Sequence, residues 1–135
     1  MPLNQLLFGF RGRMRRSQWW AVRVVTTVIL FVLIGVFAGL GGSVGRSQTA
    51  EVIAGGVALI VGLPVVTLYL WIFVATSVKR LHDQDLSGWF TLIYFIPYLG
   101  GLAAFVMLGC LEGTKGRNRF GASDKYPEST ANVFA

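Results

Sequence analysis

Apolar and polar positions alternate along this chain in long blocks. Residues 1–10 place Leu3, Leu6, Leu7 and Phe10 at helical spacing behind Pro2, which predicts a short helix lying in the headgroup layer and ended by Gly9 and Gly12. Residues 22–41 form an apolar run long enough to cross a hydrocarbon core of about 30 Å. Residues 52–78 form a second, longer run, so it must tilt, bend at Pro64 or project beyond the bilayer. Residues 90–111 form a third, interrupted in its middle by Pro97, Gly100 and Gly101. The pattern predicts an all-α integral membrane protein: a small helical bundle with two full transmembrane helices and a third apolar segment that is broken or re-entrant around residues 97–101. Residues 1–21 then make an interfacial segment, 22–126 the transmembrane domain and 127–135 a disordered tail.

Composition agrees, since 54% of the 135 residues are hydrophobic. The net charge of +6 raises nucleic acid as a partner, but the bases sit beside apolar spans rather than on a soluble face with aromatic platforms. That excludes nucleic acid and points to anionic membrane lipids. Arg11, Arg13, Arg15 and Arg16 immediately precede Trp19 and Trp20, the order expected where a chain enters the membrane interface, with binding of a specific phosphate by some of these arginines as the alternative, and Arg23 is placed to snorkel back to the headgroups. A signal peptide cleaved near Val36 or Ala38 is set aside because the run is longer than an h-region. If the third run folds back on itself, every Lys and Arg except Arg46 lies on one side, which places both termini in the cytoplasm by the positive-inside rule. The single cysteine, Cys110, has no partner for a disulfide, falls in an apolar run and is expected to be buried and inert. No metal-ligand spacing or cofactor motif is present.

Small residues mark two helix faces. Gly35 and Gly39, continued by Gly42, match Ala54, Ala58 and Gly62. Packing of the two faces within the chain is the expected contact, and a homo-oligomer through them is the alternative.

The chemistry-bearing residues concentrate in residues 79–89, K-R-L-H-D-Q-D-L-S-G-W, which hold the only histidine. On a continuing helix Lys79 and Asp83 stand four apart and are expected to pair. Ser87 is a good N-cap for the following segment, whose free N–H groups favour an anion. His82 beside Asp83 reads as a hydrogen-bonded structural pair. A catalytic pair needs a nucleophile or metal too, and Ser87 is the only nearby hydroxyl, so no catalytic residue is assigned. The tail E-G-T-K-G-R-N-R-F-G, from residue 112, combines turn glycines with Arg117, Asn118 and Arg119, suiting either a fold onto the helix ends or an anion; the nucleotide-binding P-loop pattern is absent.

Three blocks, F-R-G-R-M-R-R-S-Q-W-W, V-K-R-L-H-D-Q-D-L-S-G-W-F and G-T-K-G-R-N-R-F-G, together resemble the bacterial inner-membrane family catalogued as domain of unknown function 805, over residues 8–124. The matching positions are Gly12, Arg13, Arg16, Trp20, Arg80, Leu81, His82, Asp83, Ser87, Gly88, Trp89, Gly113, Gly116, Asn118, Arg119 and Gly121. The resemblance implies a small inner-membrane protein and assigns no reaction. The family often has prolines around the tail glycines, where this chain has Lys115, Arg117, Ala122 and Ser123, which implies a looser tail.

With all three blocks on the cytoplasmic side, Arg13, Arg16, Arg80, His82, Asp83, Ser87, Asn118 and Arg119 are expected to converge. Buried charge must be paired or hold a ligand, and Asp83 is expected to hold Arg119 or an N-terminal arginine, with the surplus of bases left for an anion. The first expectation is therefore a protein that binds a lipid headgroup or another small anion there. A small oligomeric transporter or channel is the alternative, and an enzyme acting on lipid headgroups through His82 and Asp83 is a third reading.

Overall fold

The computed structural model describes residues 3–43 and 47–123, apart from the side chains of residues 42 and 43. Pro2, Arg46, Lys125 and the disorder expected over 127–135 lie outside the described residues. The elements are α1 (Leu3–Phe8), α2 (Arg16–Ser43), α3 (Gln48–Asp83), a 3₁₀ helix (Gly88–Phe95), α4 (Leu99–Ala104) and a π-helical stretch (Phe105–Cys110). Two compact units result, one of Met1–Val22 with Ile72–Ala135 and the other of Arg23–Trp71.

The Arg23–Trp71 unit holds the apolar lengths of α2 and α3, both long and apolar enough to cross a membrane. Thr27 and Tyr69 share a hydrogen bond between their hydroxyls at 3.4 Å, and the Arg23 guanidinium sits 6.0 Å from the Tyr69 ring centroid. The expected packing of small faces is not found. A Cβ at Gly35, Gly39 or Gly62 would meet nothing within 4 Å. The physical reason is that lipid tails are as apolar as leucine, so such helices gain no hydrophobic free energy by touching. α3 is 36 residues long, or about 54 Å at 1.5 Å per residue, and runs unbroken through Pro64. Its buried residues begin only at Ile72, where the other unit starts.

That other unit has a core of Met14, Trp19, Leu81, Tyr94 and Leu108, flanked by Leu6, Trp20, Phe73, Leu86 and Met107. The third apolar run breaks as expected. Ile96 turns extended and Tyr98 takes φ +65°, so the 3₁₀ helix stops and α4 begins on a new axis. The backbone N–H groups of Ile96, Leu99 and Gly100 donate to Ile93, Pro97 and Ile96, and Pro97 has none, so the break leaves few donors without a partner. A Cβ at Gly100 would run into the Tyr94 backbone. The run starts with Gly88 against Val78 and His82, and ends with Leu108 accepting from Arg80. Both ends therefore return to the last turns of α3, which makes the segment a hairpin.

Candidate functional site

Three helix ends meet around the last turns of α3, and each leaves C-terminal carbonyls that the helix cannot pair. The polar residues of the three motif blocks supply the missing donors. Lys79, with 0% exposure, donates through Nζ to the carbonyls of Gln5 (2.7 Å) and Leu6, capping α1. It does not pair with Asp83. The helix-spacing expectation fails because the chain before α2 brings backbone acceptors closer than the carboxylate.

The end of the hairpin is capped more fully. Its last i→i+5 bond runs from the Leu111 N–H to the Val106 carbonyl, and the next five carbonyls all accept from side chains. Gln84 Nε2 donates to Met107, Arg80 Nε to Leu108 (3.0 Å), Trp20 Nε1 to Gly109 (3.2 Å), Arg16 Nη1 to Cys110 (3.1 Å) and Arg80 Nη2 to Leu111. Cations at a helix C-terminus also oppose its negative dipole end. Cys110 is exposed, contrary to its expected burial, because at the last position of this segment its side chain turns away from the core.

The end of α3 is closed by Arg13 and the tail. Arg13 is 3% exposed. Its Nε donates to Asp83 Oδ1 at 2.9 Å, Nη1 to the carbonyls of Gly116 (2.6 Å) and Gly121 (3.2 Å), and Nη2 to Thr114 O (2.6 Å), Thr114 Oγ1 (3.1 Å) and Asp83 O (3.3 Å). Every nitrogen of this guanidinium is engaged, so it is a structural centre. Gly116 and Gly121 turn their carbonyls toward it from φ +77° and +126°, conformations that favour glycine. Thr114 N–H and Oγ1 donate to Asp83 O, and Asn118 Nδ2 donates to His82 O and Thr114 Oγ1. The turn glycines of the tail thus serve to wrap carbonyls around one arginine.

Asp83 is the acid of the centre, its other oxygen accepting from Arg80 Nη1. Because Arg13 and Arg80 occupy the carboxylate, the expected His82–Asp83 pair does not form. His82 faces elsewhere, its ring stacked on Phe120 at 3.8 Å and 8°. Ser87 precedes the 3₁₀ helix without a side-chain cap bond and lies on the His82 side. Arg119 reaches outward to Asp85. The structure therefore joins Arg13, Arg80 and Asp83 directly, brings Arg16 alongside through the Cys110 carbonyl, ties in Asn118 through the His82 carbonyl and Thr114, and turns the side chains of His82, Ser87 and Arg119 away from them.

A small cavity of about 50 Å³ adjoins the centre, lined by Arg15, Arg16, Arg80, Asp83, Glu112, Gly113, Thr114 and Ser123. Arg15 and Arg16 are exposed, and the bond to Cys110 uses one of the Arg16 N–H groups. Sequence reasoning placed Arg15 within the basic run ahead of Trp19 and did not single out Gln84 or Thr114. The signal available for Gln84 and Thr114 was their position inside the motif blocks.

A family model described as Protein of unknown function (DUF805) matches residues 7–122. The chain belongs to the DUF805 family. Among curated relatives it is similar to Inner membrane protein YhaH of Escherichia coli strain K12, 35% identical over 119 residues, covering 87% of this chain and 88% of the relative. It is also similar to Inner membrane protein YhaI of the same strain, 33% identical over 125 residues and 87% of each chain. No solved structure matches. With its two long apolar helices, this DUF805 chain is an inner-membrane protein.

Proposed function

We propose that this protein binds the phosphate of an anionic lipid at the arginine face beside Asp83, on the cytoplasmic side of the inner membrane. Arg15 and Arg16 are the donors; Arg13, Arg80, Asp83 and Asn118 hold the frame that positions them. The observation that carries this reading is the unequal use of the arginines. Arg13 is saturated by protein acceptors, whereas Arg15 and Arg16 keep open donors beside a cavity they share with Arg80. Guanidinium groups fork onto phosphate oxygens, and a charge-assisted hydrogen bond contributes about 1.5–3 kcal/mol. The hairpin supports the cytoplasmic orientation, since it brings the basic tail back to the same end of α3 as the R-L-H-D turn and the positive-inside rule favours the cytoplasm for that end.

The test is native mass spectrometry of detergent-released protein with phosphatidylglycerol and phosphatidylcholine. Arg15→Gln with Arg16→Gln is expected to lower phosphatidylglycerol retention by about tenfold or more while the melting temperature holds. Unchanged retention by a folded double variant would remove the proposal.

A further inference from the structure

The last turns of α3 have a second face. Val74, Val78 and His82 recur every four residues and so share one side of the helix, roughly opposite Arg80. Together with Leu92 and Phe95 of the 3₁₀ helix they wall a cavity of about 470 Å³, within the size range of small-molecule sites. The two helices run antiparallel here, with Gly88 beside Val78 and His82, and Phe95 edge-on to Phe73 with ring centroids 6.2 Å apart. The lining therefore changes character along its length: His82 and Ser87 stand toward one end, Val74 and Phe95 toward the other, and Thr91 between them. Phe120 of the tail closes the polar end by stacking on His82.

Thr91 is the group that points to a ligand. It is 4% exposed, lines this cavity, and its Oγ1 has no hydrogen-bond partner among the described residues. A buried hydroxyl without a partner is costly in an apolar wall, and a ligand oxygen relieves that cost. The rim is formed by exposed apolar side chains, Trp89, Leu92 and Phe95, so the groove opens onto surface suited to lipid.

We infer that this groove holds one acyl chain of a membrane phospholipid, with a lipid ester carbonyl accepting a hydrogen bond from Thr91 Oγ1. The apolar wall fits the chain, the buried Thr91 hydroxyl fits the oxygen-bearing end of such a chain, and an inner-membrane protein meets this ligand at the groove mouth. The site is independent of the arginine face, because it lies across α3 from Arg80 and needs no charge on the lipid.

The experiment uses the full chain in phosphatidylcholine nanodiscs containing a trace of phosphatidylcholine with a diazirine in its acyl chain. After photolysis, adducts are mapped by peptide mass spectrometry. They are expected to concentrate on Val74, Leu92 and Phe95, and Val74→Trp, which fills the groove, is expected to remove most of them while adducts on residues 24–40 remain. Thr91→Val is expected to lower groove adducts by about threefold without lowering the melting temperature. In the Arg15→Gln, Arg16→Gln protein the groove adducts are expected to persist, so this site and the phosphate site fail separately. Adducts spread evenly over all exposed apolar helices would overturn the inference, as would groove labelling that ignores both Val74→Trp and Thr91→Val. Competition by free fatty acid but not by unlabelled phospholipid would overturn the assigned source.

Discussion

α2 and α3 each belong to two environments, and the contrast between them is the main lesson of the molecule. Across residues 23–71, no described residue is buried, and side chains such as Ile60 (77% exposed) and Phe31 (69%) point outward. In the other unit, eight polar or charged residues are buried against seven hydrophobic ones among those described, so its stability depends on matched polar groups as much as on apolar packing. A helix in lipid satisfies its own backbone and needs nothing from its neighbours. Where helices end, carbonyls are left over, and the buried bases of this protein are spent on them. Substitutions should therefore be costly in one unit and mild in the other.

The largest effect is expected at Asp83. Its carboxylate is the counter-charge of two buried arginines, Arg13 and Arg80, and removing one member of such a group leaves uncompensated charge, at a cost of about 3–5 kcal/mol. Asp83→Ala is expected to abolish the cooperative thermal transition of the purified protein, followed by tryptophan fluorescence, since Trp19 and Trp20 sit in this unit. A variant that melts like wild type would show that the arginines are held by backbone carbonyls alone, and the contrast between the units would lose its electrostatic half.

A smaller loss is expected at Gly113. A Cβ there would run into the Asp83 carboxylate, which the two arginines fix in place, so Gly113→Ala forces one of these bonds to shift. Overpacking of this kind costs about 1–3 kcal/mol. The measurement is the midpoint of chemical or thermal unfolding in detergent. A midpoint equal to wild type would mean that the tail is loose around Asp83 and does not clamp it.

Much of the outline was legible because it is written in local composition. The two long apolar runs, and the break that Pro97, Gly100 and Gly101 impose on the third, follow from residue type alone. The pairing was less legible, since most acceptors here are backbone carbonyls, which look identical at every position. Helix spacing gives Lys79 to Asp83, whereas the structure gives Lys79 to Gln5 and Leu6. Proximity in sequence gives His82 to Asp83, and charge balance gives Arg119 or an N-terminal arginine; the structure selects an N-terminal one, Arg13, seventy positions away. The i→i+5 geometry that bares Met107 to Leu111 also has no marker in the sequence, and it decides where Arg16, Trp20, Arg80 and Gln84 go.

The smallest effect is expected in the apolar unit, at Gly39, and its sign separates two accounts of the small-residue face. Within one chain a Cβ at Gly39 meets nothing within 4 Å, so Gly39→Ala brings no clash and removes the backbone freedom that glycine has when unfolded. Ala is favoured over Gly inside a helix by about 0.8–1.0 kcal/mol, so a lone chain in lipid should become slightly more stable. If a second copy instead seats against Gly35 and Gly39, the same methyl group obstructs the close approach that glycine permits, and stability falls as the oligomer is lost. Unfolding midpoints measured at several protein-to-lipid ratios distinguish the two. A gain at every ratio means that lipid alone covers this face; a loss that deepens as protein is concentrated means that another copy does.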